Sequence, residues 1–288
     1  MASLPTHFSA FVFLFPIGFR RLLSSFSLYL KSPALYRSRV WYLSESKWKN
    51  LDLYGILIIL PIAAFSEVFW FLTFSGHPTY RFAFFQQSAV LSLFWLVAFA
   101  IVLRENFDIF LLHENLIFLF AAIAFLVEYS VIGLGITGLG GHVYALLSAC
   151  TLLCAASCLF LAVRPTAFFA DVALSSGIVF KATWVLQAGL SLFSDTFVPR
   201  GCKSIPVSLA LEKTDVDCVL DEDRLRGLAL INFLFVIHAL AIFLLIFLGF
   251  GSVSWKGKMR CGGLGSLTMS EIESENLVMR HVPEFELE

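Results

Sequence analysis

Ionisable and hydrogen-bonding side chains within long apolar stretches are the residues of this sequence best placed to do chemistry. Seven of them stand out: Glu67, Glu128, His142, Lys181, Gln187, Asn232 and His238. A charged side chain at the centre of a membrane helix costs about 2.5 to 3.5 kcal/mol, so one that persists there usually has a use. Such groups can transfer protons, form ion pairs or anchor a polar ligand. We expect His7, and all of these residues except Gln187, in the outer half or the middle of a membrane, where they can converge on one polar cluster. Gln187 follows Lys181 in the same helix and is a further candidate for that cluster.

Lys181 is the most consequential of these residues. Trp184 and Gln187 follow it, which places a cation, an aromatic ring and an amide within two helical turns. One interpretation pairs Lys181 with Glu128 or Glu67 as a gate or a substrate anchor. The other is a structural ion pair that fixes the order of the helices. Both interpretations predict an acidic partner for an inward-facing Lys181.

Histidines and short motifs give little support for catalysis. A zinc hydrolase site needs at least three converging ligands and an open position for water, and the six histidines show no ligand-like spacing. The sequence has no Gly-x-Ser-x-Gly elbow and no Walker loop. The basic residues are dispersed and the net charge is -1, which argues against nucleic-acid binding. We therefore expect no metal, no cofactor and no enzymatic activity.

The six cysteines fall into three sets. One set recurs every four residues on one face of an apolar stretch and suits helix packing through small side chains: Cys150, Cys154 and Cys158. Cys202 and Cys218 flank a long loop that we place on the non-cytoplasmic side, where an oxidising environment allows a disulfide. Cys261 follows a basic cluster next to the membrane and is either a palmitoylation site or an inert thiol.

The elements that must position these residues are seven apolar stretches, each near the roughly 20 residues that a helix needs to cross a bilayer. Hydrophobic residues make up 59% of the 288, charged residues 14%, and Phe occurs 32 times, which no soluble core of this size could bury. The predicted fold class is an all-α membrane protein, a bundle of about seven transmembrane helices. The predicted spans cover residues 8–30, 52–74, 82–103, 113–132, 142–163, 168–193 and 227–250.

Two interruptions shape these stretches. Residues 129–163 carry no Asp, Glu, Lys or Arg and are too long for one span. The five glycines between Gly133 and Gly141 are therefore expected to form a turn. Arg20 and Arg21 interrupt the first stretch, and we expect their side chains to reach the membrane interface.

Lys and Arg are concentrated on one side of the predicted bundle. The loop between the first two spans holds five of them: Lys31, Arg37, Arg39, Lys47 and Lys49. Since basic loops stay in the cytosol, the N-terminus is expected outside or in a lumen and the C-terminus in the cytosol. Residues 251–288 combine a basic start with later glutamates and low hydrophobicity, which predicts a disordered cytosolic tail.

Two blocks of sequence carry a family resemblance. Residues 183–189 read Thr-Trp-Val-Leu-Gln-Ala-Gly, and residues 197–202 read Phe-Val-Pro-Arg-Gly-Cys. A second cysteine, Cys218, precedes an acidic and basic entry to the last helix at residues 221–232. In this order the blocks resemble the transmembrane protein 45 family, most closely its plant branch, over roughly residues 1–250. The resemblance implies a seven-span membrane protein with a domain of unknown function and no established activity.

The chain departs from the family pattern at two places. Family members usually carry a His-rich segment after the glutamate matched by Glu128, whereas this chain has glycine-rich residues 133–142 and keeps only His142. Clustered His and Glu can bind a metal or carry protons, so the departure weakens the case for such a role. Lys181 stands where the family usually has Gln, so the resemblance assigns it no function.

Three functional hypotheses follow. The sparse polar interior favours a non-enzymatic multi-pass membrane protein that acts through the lipid bilayer and unidentified protein partners, in trafficking, stress or defence signalling. The alternative is a transporter or channel that uses Glu67, Glu128, Lys181 and His238. That alternative requires these groups to share a water-accessible cavity. The third hypothesis, a membrane-embedded hydrolase, lacks a recognisable set of metal ligands.

Overall fold

The computed structural model describes residues 4–42, 51–73, 78–106, 113–134, 136, 138–194, 197–204, 216–218 and 220–279. The helices and strands, in chain order, are α1 (Leu4–Lys31), a 3-10 turn (Pro33–Leu35), α2 (Leu51–Thr73), α3 (Pro78–Asn106), α4 (Glu114–Val131), α5 (Gly138–Val163), α6 (Phe168–Phe193), β1 (Cys202–Ser204), β2 (Val216–Cys218) and α7 (Asp221–Met279). Among these residues, seven helices are long and apolar enough to cross a membrane. The predicted all-α bundle of seven transmembrane helices is therefore confirmed, and the chain is a multi-pass membrane protein.

Helix α6 lies at the centre of the bundle, packed against α1 and α5. Small residues on its buried face let the neighbouring backbones approach closely. Gly189 faces α1, and a Cβ built there would lie 2.6 Å from the Cβ of His7. A Cβ built at Gly18 of α1 would likewise lie 2.9 Å from Cγ2 of Val179 in α6. Larger side chains at either glycine would push α1 and α6 apart.

The chain turns sharply between α4 and α5, where the sequence predicts a glycine turn. Helix α4 ends at Val131 and α5 begins at Gly138. Gly133 and Gly138 have φ angles of +72° and +68°, in the left-handed region that glycine adopts at no steric cost. The turn separates α4 from α5, and the two helices pack against each other.

A short pair of antiparallel strands after α6 is an element that the sequence did not predict. Strands β1 and β2 pair so that Cys202 lies opposite Cys218 and Ser204 opposite Val216. Three residues are too few for the alternating pattern that identifies a strand from sequence.

Helix α7 also differs from its predicted span. It begins at Asp221 and continues to Met279, although the predicted span ends at residue 250 and a disordered tail follows. The added stretch contains no Pro to stop a helix. The disorder of residues 251–288 stays a prediction, because the side chains after Lys256 and the backbone after Met279 lie outside the described residues.

Candidate functional site

A cavity of about 680 Å³ lies between the helices, lined by side chains from α1 to α6. We call it the interhelical cavity. Its lining is largely apolar, and its charged side chains fall at two levels along the helices: Glu67, Glu128 and Lys181 at the outer level, and Arg20, Arg21 and Asp52 at the inner level. Outer and inner refer to the orientation expected from the charge bias. A concave space of this size with few polar groups is typical of a small-molecule site.

Lys181 of α6 and Glu128 of α4 form an ion pair at the outer level. The Lys181 side chain is only 5% exposed. Its ammonium lies 5.2 Å from the centre of the Phe125 ring and 5.9 Å from that of Phe94, so two aromatic faces add to its stabilisation. Removing either partner would leave the other charge uncompensated among apolar side chains. Because both partners line the interhelical cavity, a molecule bound there would meet this pair.

Glu67 of α2 lines the same cavity, as do Gln86 and Gln87 of α3. The structure therefore brings together the three charged members of the sequence-predicted set. The other four members do not line the cavity: His142, Gln187, Asn232 and His238. The expectation of one polar cluster is wrong for these four, because they are satisfied elsewhere.

Those four residues make local hydrogen bonds instead. His142 Nε2 lies 2.8 Å from Asn232 Oδ1, which links α5 to α7. His238 Nδ1 donates to a backbone carbonyl of its own helix at 2.8 Å. Gln187 Nε2 donates to the Ser191 hydroxyl at 2.9 Å. These contacts indicate a structural role within and between helices.

A charged cluster at the inner level of the cavity was missed by the sequence analysis. Asp171 of α6 is fully buried, and its Oδ1 accepts a hydrogen bond from Arg21 Nη2 at 2.5 Å. Its Oδ2 accepts from the hydroxyl of Tyr36 at 2.6 Å and from that of Tyr42. We call these four residues the inner cluster. The expectation that Arg21 reaches the membrane interface is wrong, because Asp171 neutralises it inside the bundle and leaves it 8% exposed.

The inner cluster holds the segment after α1 against the bundle. Arg21 Nη1 donates to the Val40 carbonyl at 2.6 Å. The Ser38 backbone N–H donates to the carbonyl of Pro165, between α5 and α6, at 2.7 Å. Val40 and Tyr42 line the interhelical cavity, so this segment forms part of its inner wall.

Burial and the Asp171 carboxylate together raise the pKa of Tyr36 and of Tyr42 above the ordinary value of about 10, with burial the larger cause for both. Both hydroxyls therefore remain neutral donors at physiological pH.

Arg20 also connects this segment to the bundle, because it donates to the Tyr42 carbonyl at 2.5 Å and pairs with Asp52 of α2.

The cysteines divide as their positions indicate. Cys202 and Cys218 form a disulfide that joins β1 to β2, with an S–S distance of 2.06 Å. The cysteines of α5 are buried free thiols: Cys150, Cys154 and Cys158. A Cβ built at Gly177 of α6 would lie 3.1 Å from Cys154 Sγ, so this face packs tightly against α6. The side chain of Cys261 lies outside the described residues, and its palmitoylation stays a prediction.

Metal ligation has no candidate site in the described part of the chain. Among those residues, no group of three or more His, Cys, Asp or Glu side chains could hold a metal ion.

The fold and the cavity together define a multi-pass helical membrane protein with a largely apolar internal site. The model of a family of unknown function (DUF716) matches residues 114–251, from the start of α4 into α7. The matched region contains the Lys181–Glu128 pair and the disulfide, whereas α1 to α3 lie outside it. No curated protein matches the chain. The chain is thus similar to a family whose description names no activity.

Proposed function

We propose that this chain is a non-enzymatic membrane protein that binds a small molecule inside its helix bundle. The observation that carries the proposal is that Lys181, Glu128 and Glu67 line one interhelical cavity of about 680 Å³. Ligand sites usually combine such a volume with a mostly apolar lining and a few polar groups that fix orientation. A purely structural ion pair would serve its purpose equally well without a cavity beside it.

Transport of the bound molecule is a second candidate, favoured by the length of the cavity. The lining of α1 extends from Thr6 to Arg21, which at 1.5 Å per residue is about 22 Å along the helix. The hydrocarbon core of a bilayer is about 30 Å thick, so the cavity crosses most of it. A bound molecule could therefore pass between the two levels of charged residues.

The family and the orientation are also proposed at a finer level. We propose that the chain is a member of the transmembrane protein 45 family and of its plant branch, on the strength of the sequence blocks around Trp184 and Cys202. We also propose that the N-terminus lies outside or in a lumen and the C-terminus in the cytosol. The disulfide supports this orientation, because disulfides persist on the oxidising side of a membrane. Trafficking, stress or defence signalling through protein partners remains a prediction.

A thermal-shift screen on the purified full chain tests the binding proposal. Because a ligand that binds only the folded state stabilises it, compounds from a library of membrane-soluble molecules should raise the unfolding temperature. Two variants that fill the cavity from two different helices should lose this response: Ala63→Phe on α2 and Ala121→Phe on α4. The matched control is Ala89→Phe on α3, at an exposed position outside the lining. Equal responses in the wild type and in both filled variants would refute the proposal.

A flux assay separates transport from simple binding. Proteoliposomes should move a stabilising compound across the membrane if the cavity opens to both sides. If a compound binds the protein but does not cross the membrane, the transport proposal is refuted and the binding proposal stands.

A further inference from the structure

The two charged levels of the interhelical cavity are separated by an apolar stretch of defined length. Asp171 of the inner cluster and Lys181 at the outer level are both on α6, ten residues apart. At 1.5 Å per residue the separation along the helix axis is about 15 Å. This separation is half of the roughly 30 Å hydrocarbon core. The acyl chains of one bilayer leaflet occupy that same half.

The lining between these levels is apolar on several sides. It includes aliphatic and aromatic side chains from five helices: Ile17, Ile56, Leu91, Phe94, Phe118 and Ile178. Water gains few hydrogen bonds against such surfaces, because a stable buried water needs two to four polar partners. A hydrocarbon chain suits these surfaces better than water does, because it needs no hydrogen bonds and its contact with each side chain is apolar.

An unsatisfied donor stands at the inner end of this stretch. Arg21 lines the cavity, and both terminal nitrogens of its guanidinium are engaged, with Val40, Ser38 and Asp171. Its Nε is buried and has no acceptor among the described residues. The Nε atom itself is occluded, so an acceptor reaches it only when the Arg21 side chain shifts toward the cavity that it lines. Because a buried N–H on a cation is a strong donor that is costly to leave unpaired, an oxygen acceptor would stabilise that shifted position.

The outer end offers no comparable donor. Glu67, which also lines the cavity there, is an acid and would repel a carboxylate. The ammonium of Lys181 is held by Glu128 and flanked by two phenylalanine rings. A head group would have to displace Glu128 to reach it. The polar end of a bound molecule therefore fits best at Arg21, with its chain directed toward Phe94 and Phe125.

We infer that the interhelical cavity binds a single-chain amphiphile. A carbonyl or carboxylate oxygen of the ligand accepts from Arg21 at the inner level, and its acyl chain fills the apolar stretch below the Lys181–Glu128 pair. This inference rests on the proposed ligand-binding function and names its ligand class. A free long-chain acid and a one-chain phospholipid share this chemistry, and the experiment distinguishes them.

Binding to the delipidated full chain in detergent is measured by native mass spectrometry with three probes of equal chain length. They are hexadecanoic acid, a one-chain phosphatidylcholine with a hexadecanoyl chain, and hexadecane, which has no head group. We expect one molecule of acid or phospholipid to bind per chain. The probe that binds more tightly identifies which of the two classes of amphiphile the cavity accepts. Hexadecane should bind at least about tenfold more weakly, because it leaves the Arg21 donor unpaired.

The cavity-filling variants locate the binding. Ala63→Phe and Ala121→Phe should each lose the one-to-one complex, while Ala89→Phe should keep it. Hexadecane binding as tightly as the acid, or filled variants binding as tightly as the wild type, would overturn the inference. If the acyl probes do not bind while compounds from the thermal-shift screen still stabilise the wild type alone, the ligand class is wrong and the binding function stands. If neither kind of molecule binds, both fail.

Discussion

Arg21 and Asp171 are separated by 150 positions in the sequence, yet their side chains meet in a buried ion pair that joins α1 to α6. The pair lies beneath the segment that carries Tyr36 and Tyr42, both of which donate to the same carboxylate. One acidic residue thus organises two helices and a loop. A substitution at Asp171 would therefore disturb the contacts of all three segments at once.

Asp171→Asn should destabilise the protein strongly. The amide has the size of the carboxylate but leaves the Arg21 charge uncompensated in the interior, a change that costs about 3 to 5 kcal/mol. Unfolding of the detergent-solubilised protein by SDS titration measures the effect. Asp221→Asn is the control, because Asp221 pairs with Arg224 at an exposed surface. If the two variants unfold alike, the ion pair has no special weight.

The Lys181–Glu128 pair should behave as a unit. Lys181→Leu and Glu128→Leu should each lower the free energy of unfolding by about 3 to 5 kcal/mol, because each leaves one buried charge unpaired. The double variant should recover most of that loss, since it removes both charges. A double-mutant cycle in the same unfolding assay gives the coupling energy. Additive losses would mean that the two residues act independently.

Alkaline pH should weaken the inner cluster. The raised pKa values of Tyr36 and Tyr42 mean that neutral hydroxyls stabilise the fold. This contribution is complete below the unfolded pKa of about 10 and is lost as pH rises above it. The double variant Tyr36→Phe, Tyr42→Phe should therefore lose less unfolding temperature than the wild type between pH 9 and pH 11 (about one unit on either side of that value). The unfolding temperature at pH 7 gives each protein its own baseline. If the unfolding temperatures of the two proteins fall in parallel with pH, these tyrosines are not the cause of the alkaline loss.

The crossing of α1 and α6 should tolerate no side chain at Gly189. Gly189→Ala places a methyl group 2.6 Å from the Cβ of His7, so the helices must separate and stability must fall. Gly55→Ala is the matched control in another membrane helix, where a Cβ meets no atom within 4 Å. There the gain in helix propensity, up to about 1 kcal/mol, should leave stability equal or higher. Comparing the two unfolding temperatures tests the packing directly; a harmless Gly189→Ala would contradict it.

The disulfide provides a test of orientation. In vesicles of known sidedness, a membrane-impermeant maleimide should label the reduced Cys202 and Cys218 from the non-cytoplasmic face. The variant with both residues changed to Ser should lose that signal. Opening a crosslink between residues 16 positions apart should also cost about 3 kcal/mol of stability. Labelling that appears only from the cytoplasmic face would reverse the proposed topology.

Sequence reasoning identified the helices because hydropathy and glycine punctuation are local signals. It also limited the partners of Lys181 to Glu128 or Glu67, because few acidic residues lie at that depth. The choice between them depends on how the helices are arranged, and the structure pairs Lys181 of α6 with Glu128 of α4. The interhelical cavity has no sequence signature at all, since it arises where six helices fail to fill the space between them.

The inner cluster was missed for a different physical reason. Arg21 interrupts the first apolar stretch, which suggests a side chain that reaches the interface. Tyr36 and Tyr42 lie in a loop without a recognisable pattern. The one available signal was Asp171, a lone acidic residue within an apolar stretch. An acid in that position predicts a basic partner, and Arg21 was already among the few candidates.

The 150-residue separation of Arg21 and Asp171 has a consequence for biosynthesis. Chains grow at about 5 to 20 residues per second, so α1 leaves the ribosome roughly 8 to 30 s before α6 can neutralise it. During that interval the guanidinium must be hydrated at the membrane surface. Helix α1 therefore first inserts at a shallower depth or a steeper tilt, and reaches its final place only when the sixth helix arrives.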